Sequence, residues 1–165
     1  MDIIVYTDGS TLNNQHKGKR KGGVGVFFGD DDIRNKSIPL IESDTNKVTN
    51  QVAEITACIV AIETVLENNN NYKSILICSD SMYTINCITK WCNGWEKKNW
   101  TKSDGKVIEN LELIKKLSSY YKKYNIKFKH VRGHKIKPSL DSPSYNDWYG
   151  NMMADNLATT ASSKI

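Results

Sequence analysis

Two rhythms of apolar residues alternate along this chain, and each dictates a different backbone. Ile3-Ile4-Val5-Tyr6-Thr7 is a β-branched and aromatic run that ends at Asp8-Gly9-Ser10, a turn signal, so it predicts a strand. A polar, basic loop follows from Asn13 to Gly22. Gly23-Val24-Gly25-Val26-Phe27-Phe28 then predicts a second strand, whose glycines suit close approach of a neighbouring backbone. Asp30-Asp31-Asp32 reads as a hairpin turn rather than a metal site, and a third strand is expected near residues 33–41. These three strands form an antiparallel meander in this reading.

From Thr49-Asn50-Gln51 the period changes to that of a helix. Val52, Ile55, Ile59, Ile62 and Leu66 recur at helical spacing with no breaker between them. The four asparagines at 68–71 are too short a linker to separate domains. Ser74-Ile75-Leu76-Ile77-Cys78-Ser79 is a continuous apolar run of the kind a buried central strand carries. It ends in Asp80-Ser81, and a helix is expected through about Lys90. Residues 91–106 are aromatic and basic. Beyond them the pattern predicts a helix over 107–123, a strand over 126–131 and a last helix over about 150–161. There is no internal repeat.

Three strands, then helix, strand, helices, strand and helix specify an α/β layered domain whose mixed sheet has an antiparallel side. The chain has 165 residues, 39% of them hydrophobic and 25% charged. That fits one domain over residues 1–165 with a core of its own, and excludes a disordered chain. No apolar run approaches the roughly 20 residues of a membrane span, and the N-terminus lacks the marks of a signal peptide. Cys58, Cys78, Cys87 and Cys92 form no C-x-x-C pair and stand beside no histidine cluster. They are expected to be reduced thiols in an intracellular protein. A net charge of +5 favours a polyanionic partner without identifying it.

Ligands of open α/β sheets gather at the carboxyl ends of strands, and Asp8 and Asp80 are both expected there. Glu54 lies early in the first helix, with Ala57, Cys58 and Ala61 on its own face; Asp155 repeats the pattern beside Ala154 and Ala158. An acid among small residues on a packed face is costly to desolvate unless something positive sits beside it. Hard oxygen ligands from scattered elements suit Mg²⁺, and several together can hold two ions. Taken singly, each acid has a plainer explanation: Asp before Gly or Ser caps turns, and an early Glu complements a helix dipole.

Five short motifs carry a resemblance. Tyr6-Thr7-Asp8-Gly9-Ser10, Thr49-Asn50-Gln51-Val52-Ala53-Glu54, Ser79-Asp80-Ser81, Val131-Arg132-Gly133-His134, and Gly150-Asn151 leading to Ala154-Asp155 follow one another in order. Along nearly its whole length the chain resembles a type 1 ribonuclease H. The resemblance implies a ribonuclease H-like fold: a five-stranded mixed sheet, three antiparallel strands then two parallel, flanked by helices. It implies hydrolysis of the RNA strand of RNA–DNA hybrids by two Mg²⁺ ions, with Mn²⁺ a possible substitute, leaving 5′-phosphate and 3′-hydroxyl ends. Asp8, Glu54, Asp80 and Asp155 fall on the family's metal-binding acids. His134 falls on its auxiliary histidine, which helps proton transfer and product release. Between His134 and Asn151 this chain departs from the common pattern with a longer loop.

The same resemblance assigns substrate contacts. Asn14, Asn50 and Gln51 match positions facing the minor groove, with Thr11 beside them, and their amides can both donate to and accept from a 2′-hydroxyl. Tyr83 and Trp91 match a groove for the DNA strand; Thr49 and Asn110 match a pocket for a DNA phosphate. Lys97, Lys98, Lys102 and Lys106, in a tryptophan-lysine protrusion, would meet phosphates without reading sequence. Thr49-Asn50-Gln51 can equally be a helix cap. Trp95 and Trp100 read as core.

The chain starts almost at its first strand, so the extra N-terminal hybrid-binding module of some relatives is expected to be absent. A monomer is expected. Two other readings stay open: a non-catalytic hybrid or double-stranded RNA binder on the same fold, and another acid-cluster nuclease such as a Holliday-junction resolvase. Loss of one acid would favour the first, and all four are present. The Thr-Asn-Gln-x-Ala-Glu helix start and the protrusion argue against the second.

Overall fold

The computed structural model describes residues 2–12, 20–43, 47–68 and 71–163. The elements run β1 (Asp2–Leu12), β2 (Lys21–Phe27), β3 (Lys36–Ile41), α1 (Asn50–Glu67), β4 (Ser74–Ser79), α2 (Met82–Asn86), a π-helical turn (Cys87–Trp91), α3 (Cys92–Lys97), α4 (Leu111–Lys123), β5 (Ile126–His130) and α5 (Tyr145–Ser163). One sheet has the order β3-β2-β1-β4-β5, antiparallel between β1, β2 and β3 and parallel between β1, β4 and β5. This is the mixed sheet the sequence predicts.

Strand alternation sorts the sheet into two faces. Ile3 and Val5 of β1, Val24 and Val26 of β2, and Ile75 and Ile77 of β4 are buried in one cluster with Ile55, Ile59 and Ile62 of α1 and Ile114 and Leu117 of α4. Each such side chain contributes about 1.5–3 kcal/mol of burial. Tyr6, Asp8 and Ser10 alternate onto the opposite face, which α5 covers over β1, β2 and β3. There Gly23 and Gly25 lie so close to α5 that a Cβ on either would strike the Ala158 and Ala154 carbonyls. All four cysteines are buried and unpaired. Among the described residues no helix is long and apolar enough to cross a membrane.

Five boundaries differ from the sequence reading, each for a physical reason. β1 does not turn at Asp8-Gly9-Ser10 but continues to Leu12, because β2 pairs with it as far as Leu12↔Lys21. β3 starts at Lys36 rather than near residue 33, because the hairpin turn keeps Asp32 to Asn35: Arg34 forks onto Asp32, and Asn35 bonds the Phe28 amide and the Gly29 carbonyl. The helix after Asp80 does not stop near Lys90; its π-helical turn carries it on through α3. α4 begins at Leu111, not 107, since Val107 bridges Thr101 and Asn110 takes a left-handed φ of 60°. α5 begins at Tyr145, five residues earlier than expected, with Tyr145, Trp148 and Tyr149 packed ring on ring along its first turns.

Candidate active site

The β1–β4 ladder ends at Thr7↔Ser79, while β1 and β2 stay paired beyond it. A notch therefore opens beside Asp8, and three elements reach into it. Asp8 comes from β1 on the α5 face, Glu54 from α1 on the other face, and Asp80 directly follows β4. One carboxylate oxygen from each lies within 4.8 Å of the others. With no β4 residue opposite, the Gly9 amide donates to Glu54 Oε1 at 2.9 Å and to Asp8 Oδ1 at 3.0 Å. A Cβ on Gly9 would stand 2.5 Å from the α1 backbone at Ala53 and Glu54, so glycine lets the helix come this close.

The electrostatics of the cluster are unfavourable as the protein stands alone. Burial, then the neighbouring Glu54 and Asp80 carboxylates, pushes the Asp8 carboxyl far above the usual carboxylate range. Burial raises Glu54 to about 7, against the pull of its contacts with Asp8 and the Gly9 amide. Asp80 is raised by burial too, opposed by a hydrogen bond from the Asn151 amide and by nearby His134. Glu54 Oε2 is buried without a donor among the described residues, and a shared proton or a cation would satisfy it. An oxygen-only donor set, an orphaned carboxylate oxygen and mutually repelling acids fit a hard divalent cation.

Asp155, on α5, stands at the border of this triad rather than inside it. Its charge adds to the upward push on Glu54 and Asp80, and its side-chain contact with Asp8 pushes that carboxyl up as well. It lines a small cavity of about 150 Å³ with His134, Asn151 and Trp148. His134 is exposed, with a left-handed φ of 57°.

The predicted substrate residues fall into pairs. Thr11 Oγ1 donates to Asn50 Oδ1, so these two hold each other at the end of β1; Gln51 is exposed beside them. Thr49 caps α1, its Oγ1 accepting from the Val52 amide at 3.1 Å. It also lines a cleft of about 340 Å³ with Lys47, Gln51, Glu109 and Asn110. Tyr83 and Trp91 meet edge to face, ring centroids 6.3 Å apart, with Trp91 41% exposed. Lys97 and Lys98 are exposed at the end of α3, while Trp95 and Trp100 pack against the core. Asn14 lies outside the described residues.

Two residues quoted only as motif members have defined places. Asn151 is buried and donates to Asp80. A Cβ on Gly133 would meet Asp80 Oδ2 at 2.6 Å, so glycine there leaves the carboxylate its room. The available signals were Asn151 one helical turn before Asp155, and a glycine directly before His134.

The RNase H family model matches residues 1–163. Ribonuclease H of Schizosaccharomyces pombe is 38% identical over 161 residues, covering 98% of this chain and 53% of that protein. Ribonuclease H1 of Homo sapiens is 36% identical over 156 residues, covering 94% of this chain and 48% of that one. The chain thus spans about half the length of these curated relatives. Among solved structures, LC9-RNase H1, a type 1 RNase H with the type 2 active-site motif, superposes with a TM-score of 0.72 at 25% identity, over 99% of this chain and 72% of that one. The match extends from the first strand to the last helix and takes in every element that builds the acidic notch, and the chain belongs to the ribonuclease H family.

Proposed function

We propose that this chain is an endoribonuclease that hydrolyses the RNA strand of RNA–DNA hybrids, leaving 5′-phosphate and 3′-hydroxyl ends. The observation that carries the proposal is the buried Asp8–Glu54–Asp80 triad with its unsatisfied oxygen, built where two parallel strands part. Asp8, Glu54 and Asp80, with Asp155 beside them, would hold two Mg²⁺ ions, and Mn²⁺ is expected to substitute. Bound there, the ions supply a water nucleophile at neutral pH and Lewis-acid stabilisation of the phosphate and the departing oxygen. Asn151 and Gly133 keep the Asp80 carboxylate aimed into the notch. His134, exposed beside Asp155, would move a proton at the departing 3′ oxygen; the cavity it shares with Asp155 supports that role.

Strand choice follows from what flanks the notch. Asn50, Gln51 and Thr11 provide amide and hydroxyl groups for 2′-hydroxyls of the strand that is cut, a role the sequence resemblance also gives Asn14. The Tyr83–Trp91 corner offers an aromatic wall to deoxyribose, and the Thr49–Asn110 cleft takes a phosphate of the same DNA strand. Lys97 and Lys98 add sequence-blind phosphate attraction. The described residues share one sheet and one main core, which supports a single catalytic domain.

One labelled RNA, offered alone, paired with RNA and paired with DNA, with and without Mg²⁺, tests the reading. Cleavage of the DNA-paired form alone, and only with metal, is expected. Binding without cutting would make the chain a hybrid-binding module. Cleavage of all three forms would keep the acids as a metal site and remove Asn14, Asn50, Gln51 and Trp91 from strand discrimination.

A further inference from the structure

The long segment after His134 builds a second recess whose wall is shared with the small cavity beside His134 and Asp155. A cavity of about 480 Å³ is lined by His130, Arg132, Lys135, Ile136, Asp147 and Trp148, among others. Lys135 and Trp148 also line the small cavity that His134 and Asp155 line, so the two spaces share a wall. The segment is anchored rather than draped: the Trp148 indole N–H donates to the Lys135 carbonyl at 3.1 Å, and Lys137 Nζ sits 6.0 Å from the centre of the Trp148 ring.

The charge of this recess is one-sided. Its acid, Asp147, is already taken by Lys129 at 2.6 Å and by the Tyr6 hydroxyl at 2.8 Å. Arg132, Lys135 and Lys137 are exposed and make no ion pair among the described residues. Three unpaired cations around an aromatic wall suit a sugar-phosphate chain: phosphates on the cations, the apolar side of a ribose on the indole. The recess lies beside the cavity that His134 and Asp155 line.

We infer that the recess between β5 and the start of α5 is a further binding site for the RNA strand, holding phosphates and ribose beyond the scissile position with Arg132, Lys135 and Trp148. The inference rests on the hybrid-cleaving reading above and extends it to a segment that reading leaves unused. The site lengthens the footprint on the cut strand and adds to the phosphate attraction of Lys97 and Lys98.

The test is equilibrium binding of hybrids at several salt concentrations in the Asp80→Asn background, where the substrate survives. Arg132→Ala with Lys135→Ala is expected to weaken binding about tenfold and lower the slope of log K against log salt by about 1–2, while Arg132→Lys with Lys135→Arg keeps both near the parent values. A second measurement needs no variant in the recess: methylphosphonate linkages, which carry no charge, replace RNA phosphates on one flank of the cut or the other. Neutralising one flank should weaken binding and flatten the salt slope, and the alanine pair should erase that difference. If the alanine pair leaves affinity and slope unchanged while Lys97→Ala with Lys98→Ala lowers both, the recess is no RNA site and the hybrid reading survives. If neutral linkages on neither flank matter, the proposal falls however the variants fold. Failure to bind any hybrid would overturn both readings together.

Discussion

The acidic notch and the tryptophan-lysine protrusion both serve one substrate in this reading, yet folding treats them in opposite ways. The notch is buried, single-signed and strained electrostatically; Asp8 and Glu54 sit where the sheet brings two faces together, and their proximity costs stability. The protrusion is exposed and solvated, so Lys97 and Lys98 cost folding almost nothing. A buried cluster of like charges needs the whole fold to hold it, whereas a charged surface needs only a helix end to stand on. Substitutions should therefore trade activity against stability in the notch and change binding alone in the protrusion.

The largest effect is expected at Asp80. Asp80→Asn keeps the size and removes the charge from the triad, and should cut turnover about a thousandfold or more, since metal chemistry supplies several kcal/mol. Hybrid binding should stay measurable, because the protrusion is untouched. Full activity in a single-turnover assay would take Asp80 out of the metal site.

Next in size is a gain in stability where activity is lost. Free of metal, the folded chain holds protons on Asp8 and Glu54 that the unfolded chain releases near pH 4. The folded state thus binds more protons, and stability falls as pH rises from about 4 through the Glu54 value of about 7, with Asp8 extending the decline. Asp8→Asn should flatten that decline and raise metal-free stability at pH 8 by about 1–2 kcal/mol, as relief of a functional strain commonly does. Mg²⁺ should raise the unfolding midpoint of the parent protein at pH 8 and much less at pH 5, where protons compete for the ligands. Thermal melts at the two pH values, with and without Mg²⁺, decide this; a parent midpoint indifferent to pH and metal would mean the triad carries no such strain.

The same contrast explains what could be read in the sequence. The layer order, the strand types and Asp80 at the end of β4 were legible, because each rests on local periodicity or a local stop. Asp8 was placed correctly as a residue and wrongly as the end of a strand: Asp-Gly-Ser reads as a turn until β2 supplies a partner as far as Leu12. The π-helical turn at Cys87–Trp91 has no periodic signature, so the helix was expected to stop near it. Tyr145, Trp148 and Tyr149 belong to α5 because they pack on one another and on Phe27, which no single-chain pattern displays. The supports of Asp80, a buried Asn151 and a space at Gly133, are tertiary facts carried by residues that look ordinary in sequence.

In the protrusion the expected effect is smaller and confined to binding. Lys97→Ala with Lys98→Ala should weaken hybrid affinity several-fold to about tenfold and flatten its salt dependence. Stability should stay within about 0.5 kcal/mol of the parent, as for exposed sites generally. An unchanged salt slope would make the protrusion a structural feature only.

The smallest effect lies at Thr49, at the start of the helix that reaches into the notch. Its Oγ1 accepts from the Val52 amide and so holds the start of the helix that carries Glu54. An accepting oxygen still has a hydrogen to give, and Thr49 lines the cleft shared with Asn110. Cap and phosphate contact are thus compatible in one side chain, and a suitable variant separates them. Thr49→Ala loses both and should cost about 1 kcal/mol of stability along with a few-fold in affinity. Thr49→Asp keeps an accepting oxygen and adds a charge that favours the helix N-terminus, so stability should hold while repulsion of a phosphate weakens binding further than Thr49→Ala does. Paired melting and binding curves for the two variants read the separation directly. An aspartate variant that binds hybrid as the parent does would leave Thr49 with its cap and remove the phosphate from the cleft.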